Sequence, residues 1–422
     1  MARMMGVLRK QTIDYPLLVI ALLLTAFGIA MVFSAGQTDV PSRTIVNLWR
    51  RQLEFFAFAL VVCWVITHGS VRLFEWSAWP LYVFSCVLLA SLLFIGTGTG
   101  TAASTKSWLS IGGIKIGQPA ELAKIATVLM LARVLASQRD SFKSLLDMWR
   151  PLLVVAVPWV LVMLQPDLGT GLSFIGITFA MLFWAGAPWQ LLVMLASPAV
   201  SLVLAFSTAV WGAWFFALVA LVFWYRVWLW EGVVLILANA VVGMAAPILW
   251  DKMSPYQQRR ILVFIDPSVD LSGSGYHLNQ SQIAIGSGGL FGKGFTLGTQ
   301  KSLGFLPERH TDFIFSVVGE ELGFIGVCVA LALFLALFFR CIRVATRAND
   351  AFPSLIACGL AALWLVHVVI NIGMTLNLMP VTGIPLPFFS YGPSFLLVCW
   401  TAVGILLRIS GEGRGKADEL SL

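Results

Sequence analysis

Long apolar runs joined by shorter polar stretches set the pattern of this chain. They fall at residues 15–34, 53–68, 77–96, 118–137, 151–165, 170–187, 190–207, 209–225, 229–250, 313–340, 354–376 and 390–408. A helix needs about 20 mostly apolar residues to cross a hydrocarbon core, so these twelve runs predict twelve spanning helices. The number is open over 190–250, where Pro198 and the tryptophans from Trp211 to Trp230 also suit tilted or surface helices and leave ten spans as the alternative. The expectation is an all-α polytopic membrane protein, with residues 1–422 forming a single integral membrane domain. The first run follows Arg3, Arg9 and Lys10 and lacks a small-residue cleavage site, so it reads as a retained anchor.

Two polar stretches interrupt the runs, Gly96 to Gly117 and 251–311. The second is longer than a structureless connection usually is. Its apolar pieces, Ile261-Leu262-Val263-Phe264 and Ile283-Ala284-Ile285, predict a loop folded back onto the membrane surface. Before the last run, Pro380, Pro385 and Pro387 forbid regular helix. Irregular backbone at membrane depth survives only when buried in protein or lining a wet cavity, so a re-entrant segment is expected there.

Composition agrees. Apolar residues make up 59% of the chain and charged ones 11%, where a soluble domain carries about a quarter charged residues. That balance excludes a soluble globule and a disordered chain. The six cysteines are scattered through or beside apolar runs and read as small core residues. The net charge of +7 follows topology. With the N-terminus inside, fifteen of the 27 basic residues fall in cytoplasmic segments, and Arg43, Arg50 and Arg51 are exceptions on the outside. Both termini are then cytoplasmic, the 251–311 loop is outside, and no nucleic-acid partner is expected.

Polar groups within apolar spans are costly and therefore informative. Glu121 and Lys124 lie at i, i+3 near the outer end of the fourth run, as an internal ion pair or as a site for an anionic head group. Asp167 reads first as the cap of the following helix. Asp312 ends the block Leu306 to Phe315, where polar loop meets apolar helix. Partial desolvation would raise its pKa, and Arg309 nearby would oppose the rise. Such a carboxylate can serve as a general base; a charge favoured by the helix dipole is the plainer reading. The stretch from Gly286 to Gly294 lacks the spacing of a P-loop, and histidines at 68, 277, 310 and 367 offer no metal-ligand spacing.

Several motifs taken together resemble the SEDS family of bacterial cell-wall proteins (shape, elongation, division and sporulation), and its elongation branch more than its division branch. They are Gln118-Pro119-Ala120-Glu121 with Lys124, Gln165 to Thr170, Gly275 to Gly294, Leu306 to Phe315, Gly319 to Gly323, and Pro385-Leu386-Pro387 with Ser390-Tyr391-Gly392. The resemblance implies a ten-span core, extended here by added helices within 190–250. It implies peptidoglycan glycosyl transfer on lipid II during cell elongation, with release of undecaprenyl pyrophosphate. The family's essential acidic position corresponds to Asp312, and a tryptophan important for activity to Trp108. A class B penicillin-binding protein and other elongation-complex membrane proteins are the implied partners, in the bacterial cytoplasmic membrane. Four departures stand out: Ser107 where Arg is common, Ala120 for Ser, Pro393 for Gly, and the added helices.

The chemistry asks for one base and several cations at the outer surface. Asp312 supplies the base; Glu308, beside it in the same block, is a candidate substrate contact. The candidate cations are Lys124, Arg259, Arg260, Lys293 and Arg309, with Lys106 and Lys115, and a divalent ion such as Mg or Mn as an assisting cofactor. The alternatives are a lipid II flippase or another carrier of lipid-linked precursors, and an inactive scaffold.

Overall fold

A computed structural model describes residues 13–38, 47–98, 107–111, 114–138, 142–253, 255–266, 274–306 and 308–420. Helices occupy all twelve apolar runs: α1 (Tyr15–Gly36), α2 (Leu48–Thr67), α3 (Val71–Ile95), α4 (Pro119–Ser137), α5 (Trp149–Met163), α6 (Leu168–Trp184), α7 (Trp189–Leu204), α8 (Thr208–Tyr225), α9 (Leu229–Lys252), α13 (Ile314–Thr346), α14 (Ala351–Thr375) and α15 (Pro393–Leu420). Between α9 and α13 lie α10 (Pro255–Ile265), α11 (Ser274–Ser287) and the single turn α12 (Thr299–Ser302). Among the described residues, eight helices are long and apolar enough to cross a membrane, and α6 and α7 are shorter apolar helices. α2 and α4 each carry three charged residues, Arg50, Arg51 and Glu54 on one and Glu121, Lys124 and Arg133 on the other. The molecule is a multi-pass helical membrane protein.

Side chains fix several helix starts. Asp14 accepts from the Leu17 amide at 3.2 Å, Ser70 from Leu73 at 3.2 Å, and Asp167 from Thr170 at 3.0 Å. Each satisfies a backbone donor that the first helical turn leaves without a partner. One element differs from the all-α expectation. Leu109–Ile111 (β1) pairs antiparallel with Ile114–Gly117 (β2), and Trp108 bridges to Thr97. Strands of three and four residues leave almost no alternation to detect in the sequence.

α14 lies at the centre, packed against α4, α6 and α13, while α15 lies along α2 and α1 along α13. α7, α8 and α9 pack on one another at the side. There Asn239 donates to Ser197 at 2.8 Å and accepts from Ser201 at 2.6 Å, the kind of polar bond that joins helices in lipid. α8 buries only Leu218 and Val222.

The run read as one span over 313–340 is broken. Gly323 has φ +62° inside α13, and a Cβ there would stand 2.3 Å from the Gly292 nitrogen. The 288–294 loop fills the break. Lys293 and Gly294 amides donate to Glu320 and Glu321 carbonyls at 3.0 Å, and Phe324 and Ile325 amides donate to Gly289 and Leu290 at 2.9 and 3.1 Å. Every peptide group freed by the break named here thus finds a backbone partner, which a lipid-facing break could not provide.

The proline-rich segment, residues 376–392, is irregular as expected, and Ile384, Leu386, Phe388 and Phe389 are buried. It reaches Gly28, near the middle of α1, where a Cβ would stand 2.3 Å from the Phe388 carbonyl oxygen. The Phe389 ring packs 5.0 Å from Phe27, and the Phe388 ring 5.2 Å from Trp364. Only glycine lets the strap lie directly on the helix.

Candidate active site

Asp312 lies in the turn that leads into α13. Thr311 and Phe313 amides donate to the Glu308 carbonyl at 3.1 and 3.3 Å. Two polar side chains hold this turn to the strap. Ser390 donates to the Thr311 carbonyl at 2.6 Å. Asn371 of α14 donates both to the Asp312 carbonyl at 2.9 Å and to Ile384 at 2.8 Å. On the strap side, Gly383 has φ +75° and leaves its Cβ direction to the Asp312 carboxylate, whose Oδ2 would be 3.4 Å away.

Burial pushes the Asp312 carboxyl up to about 7. The Glu308 carboxylate adds to the rise, while Arg260 and a hydrogen bond from Thr311 oppose it. The opposing cation is therefore Arg260 of α10, which also donates to the Thr382 carbonyl at 3.4 Å. Arg309 was expected in that role. Its guanidinium instead turns to α1, is buried, and donates from Nε to the Ala35 carbonyl at 2.9 Å. Glu308 is exposed and accepts from the Thr311 hydroxyl at 3.2 Å; Arg259 is exposed on α10.

A second polar centre lies inside the bundle. Lys124 Nζ stands 2.8 Å from Glu121 Oε1 and 2.8 Å from His367 Nε2, with 1% of its surface exposed. His367 Nδ1 lies 3.1 Å from the Pro385 carbonyl. The donors fit one tautomer, with Nδ1–H donating to Pro385 and Nε2 accepting from the ammonium. Gln118 donates to Asp167 at 3.1 Å, which ties the start of α4 to the cap of α6. His367 and Asn371 are one turn apart on α14, about 6 Å along its axis. Through them and the 383–390 strap, the Lys124 centre and the Asp312 turn share one support.

Lys293 belongs elsewhere. Its ammonium donates to Glu320 at 2.8 Å, beside Lys301 paired with Glu321 and Ser34 donating to Glu321 at 2.5 Å. Glu320 lies six residues into α13 from Ile314, about 9 Å along its axis beyond the Asp312 turn. Trp108 is half-buried at the start of the hairpin, and Ser107, where the family commonly has Arg, is buried. Lys106 and the Lys115 side chain lie outside the described residues. Among the described residues, no three His, Cys, Asp or Glu side chains form a set that could hold a metal ion. The sequence reading gave no site role to His367, Asn371 or Ser390, although Ser390 lies in one of the family motifs. The signal for the first two was present, two polar residues at i, i+4 within the 354–376 run, whose other polar residues, Ser354 and Thr375, lie at its ends.

A profile of the FtsW/RodA/SpoVE family, described as "Cell cycle protein", matches residues 15–216 and 205–415. The chain belongs to that family. It is 35% identical over 402 residues to the peptidoglycan glycosyltransferase MrdB of Escherichia coli K12, covering 95% of this chain and 94% of that one. It is 34% identical to stage V sporulation protein E of Bacillus subtilis, covering 96% and 99%, and 30% identical to RodA of Treponema pallidum, covering 94% and 98%. Among solved structures it resembles a chain from a peptidoglycan synthase complex in which polymerization and crosslinking are coordinated, at TM-score 0.70 and 27% identity, covering 94% and 98%. It also resembles the rod shape determining protein RodA of Thermus thermophilus, at TM-score 0.62 and 26% identity, covering 95% and 97%. The two profile matches overlap at 205–216, inside the stretch read as carrying added helices.

Proposed function

We propose that this chain is a peptidoglycan glycosyltransferase of cell elongation, which joins lipid II units into glycan strands at the outer face of the bacterial cytoplasmic membrane. The observation that carries the reading is the Asp312 carboxyl, raised to about 7 against the opposing charge of Arg260 and lying beside Gly383 just before α13. A carboxyl tuned near the working pH is suited to take a proton in the transition state. The 4-hydroxyl of one sugar gives its proton to Asp312 as its oxygen bonds to the anomeric carbon of the next. The bond from that carbon to the pyrophosphate oxygen breaks, and undecaprenyl pyrophosphate leaves with the electron pair. A positioned base supplies about 10²–10⁴ in rate. We assign Arg260 and Arg259 on α10 to the leaving group, and Trp108 to the border of the substrate on the hairpin side. Lys124 is buried between Glu121 and His367, and we assign it to the support beneath the strap, with access to pyrophosphate requiring the strap to move.

We further read twelve crossings, with both termini in the cytoplasm and the Asp312 turn outside, a reading supported by the helix order and the placement of Lys and Arg. A class B penicillin-binding protein is the partner that would crosslink the product, alongside other elongation-complex membrane proteins. The test is incubation of purified chain with labelled lipid II, with and without that transpeptidase. Glycan strands in either case support the reading. Their absence in both, with lipid II crossing vesicle membranes, would favour the flippase.

A further inference from the structure

The end of the bundle opposite Asp312 carries a polar site that glycosyl transfer does not use. The start of α1, the last turns of α13 and α15 line a half-open pocket of about 410 Å³, with Asp14, Arg340, Arg343, Arg347, Ser410 and Gly413 among its walls. Asp14 is buried and engaged on every side described. It accepts from Arg340 Nε at 2.9 Å and Nη2 at 2.7 Å, from Ser410 at 2.8 Å and from the Leu17 amide at 3.2 Å. Its one negative charge is matched by Arg340. Arg343 and Arg347 are exposed, and among the described residues no carboxylate forms an ion pair with either.

The three arginines share one face of α13 at i, i+3 and i+7. Beside that face runs an exposed apolar stripe of Leu331, Leu335, Phe339 and Ile342. In a membrane-spanning helix such a stripe faces acyl chains, and here it ends at two guanidiniums that form no ion pair among the described residues. The helix-end dipole opposes an anion at this place, but it amounts to only about half a charge. Guanidinium pairs bind phosphate oxygens in bidentate fashion, and basic pockets between helices at the cytoplasmic surface suit lipid head groups.

We propose that this cavity holds the phosphate of an anionic phospholipid, with Arg343 and Arg347 as its ligands and the Leu331 to Ile342 stripe against its chains. The stripe favours a lipid over a free phosphate. The site fastens the cytoplasmic ends of α1, α13 and α15, and the proposal stands apart from the glycosyltransferase reading because its test reads binding alone.

The test is native mass spectrometry of the purified full-length chain in detergent, titrated with phosphatidylglycerol, phosphatidylethanolamine or inorganic phosphate. Wild-type protein is expected to retain phosphatidylglycerol over phosphatidylethanolamine. The Arg343→Gln/Arg347→Gln double variant should lose roughly 30-fold in that affinity, the weight of two basic groups at an anionic surface. Arg343→Lys/Arg347→Lys should keep part of it, and Arg150→Gln/Arg226→Gln, at basic positions elsewhere, all of it. Undiminished phosphatidylglycerol binding by the Gln double variant would overturn the site, as would equal retention of the two lipids. Displacement of phosphatidylglycerol by an equal concentration of inorganic phosphate would overturn the lipid assignment.

Discussion

Gly28→Ala is expected to disable polymerisation in a protein that remains folded. The added Cβ would stand 2.3 Å from the Phe388 carbonyl oxygen and 2.5 Å from Phe389 Cα, where ordinary contact begins at 3.4 Å. Both obstacles are backbone, so the strap must retreat by about 1 Å. Overpacking of this kind costs roughly 1–3 kcal/mol, and replacing Gly by Ala within a helix returns about 1 kcal/mol. The net loss of about 0–2 kcal/mol is small for folding. Its effect on the site is larger, because the strap carries Pro385, which holds His367, and Ser390, which holds the Thr311 carbonyl beside Asp312. A displacement of about 1 Å at a reacting group costs on the order of 10²-fold in rate. The assay is the initial rate of glycan formation from labelled lipid II on a gel, with a thermal melt in detergent. Gly212→Ala is the control, since a Cβ there meets nothing within 4 Å. A Gly28→Ala rate indistinguishable from that of Gly212→Ala would refute the claim that the strap positions the site.

Polymerisation should depend on pH through the Asp312 carboxyl. The base form is needed and the carboxyl is raised to about 7, so the rate should rise as pH increases through 7 and fall about tenfold for each unit below it; a flat rate down to pH 5 would contradict this. Lys124→Met and Glu121→Gln should each lower polymerisation, and their double-mutant cycle should show strong coupling through the 2.8 Å pair; recovery of both folding and polymerisation in the double variant would reduce the pair to packing. Cysteines at Trp189 and Arg226 should be labelled from the cytoplasm and one at Ser207 from outside, as α7, α8 and α9 each crossing would require; any other pattern would remove two spans.

The apolar runs were enough to place the helices, because lipid demands the same apolar length wherever a helix crosses. Asp312 was legible for a related reason, as a charge at a sharp polar-to-apolar junction, and the Glu121–Lys124 pair was legible because i, i+3 spacing is local. The strap was legible through its prolines. What opposes and supports these groups was not. Arg260, Asn371 and Ser390 reach Asp312's turn from other elements, and sequence adjacency pointed to Arg309, which serves the Ala35 carbonyl instead. The break at Gly323 also escaped, since hydropathy over 313–340 is continuous and the backbone groups that cap the break come from residues 289–294. Lys293 was expected among the cations at the outer surface, yet it is held by Glu320, and the glycines beside it serve the fit against α13.

In the proposed reaction the Asp312 carboxylate takes the proton of the attacking hydroxyl. Asp312→Asn keeps the side-chain shape and the Asn371 bond to the backbone carbonyl, and removes the base. Purified Asp312→Asn protein, matched to wild type in yield and melting temperature and supplied with labelled lipid II and the transpeptidase partner, should form no glycan strands on a gel. Strands of near-normal length and rate from that variant would contradict the account.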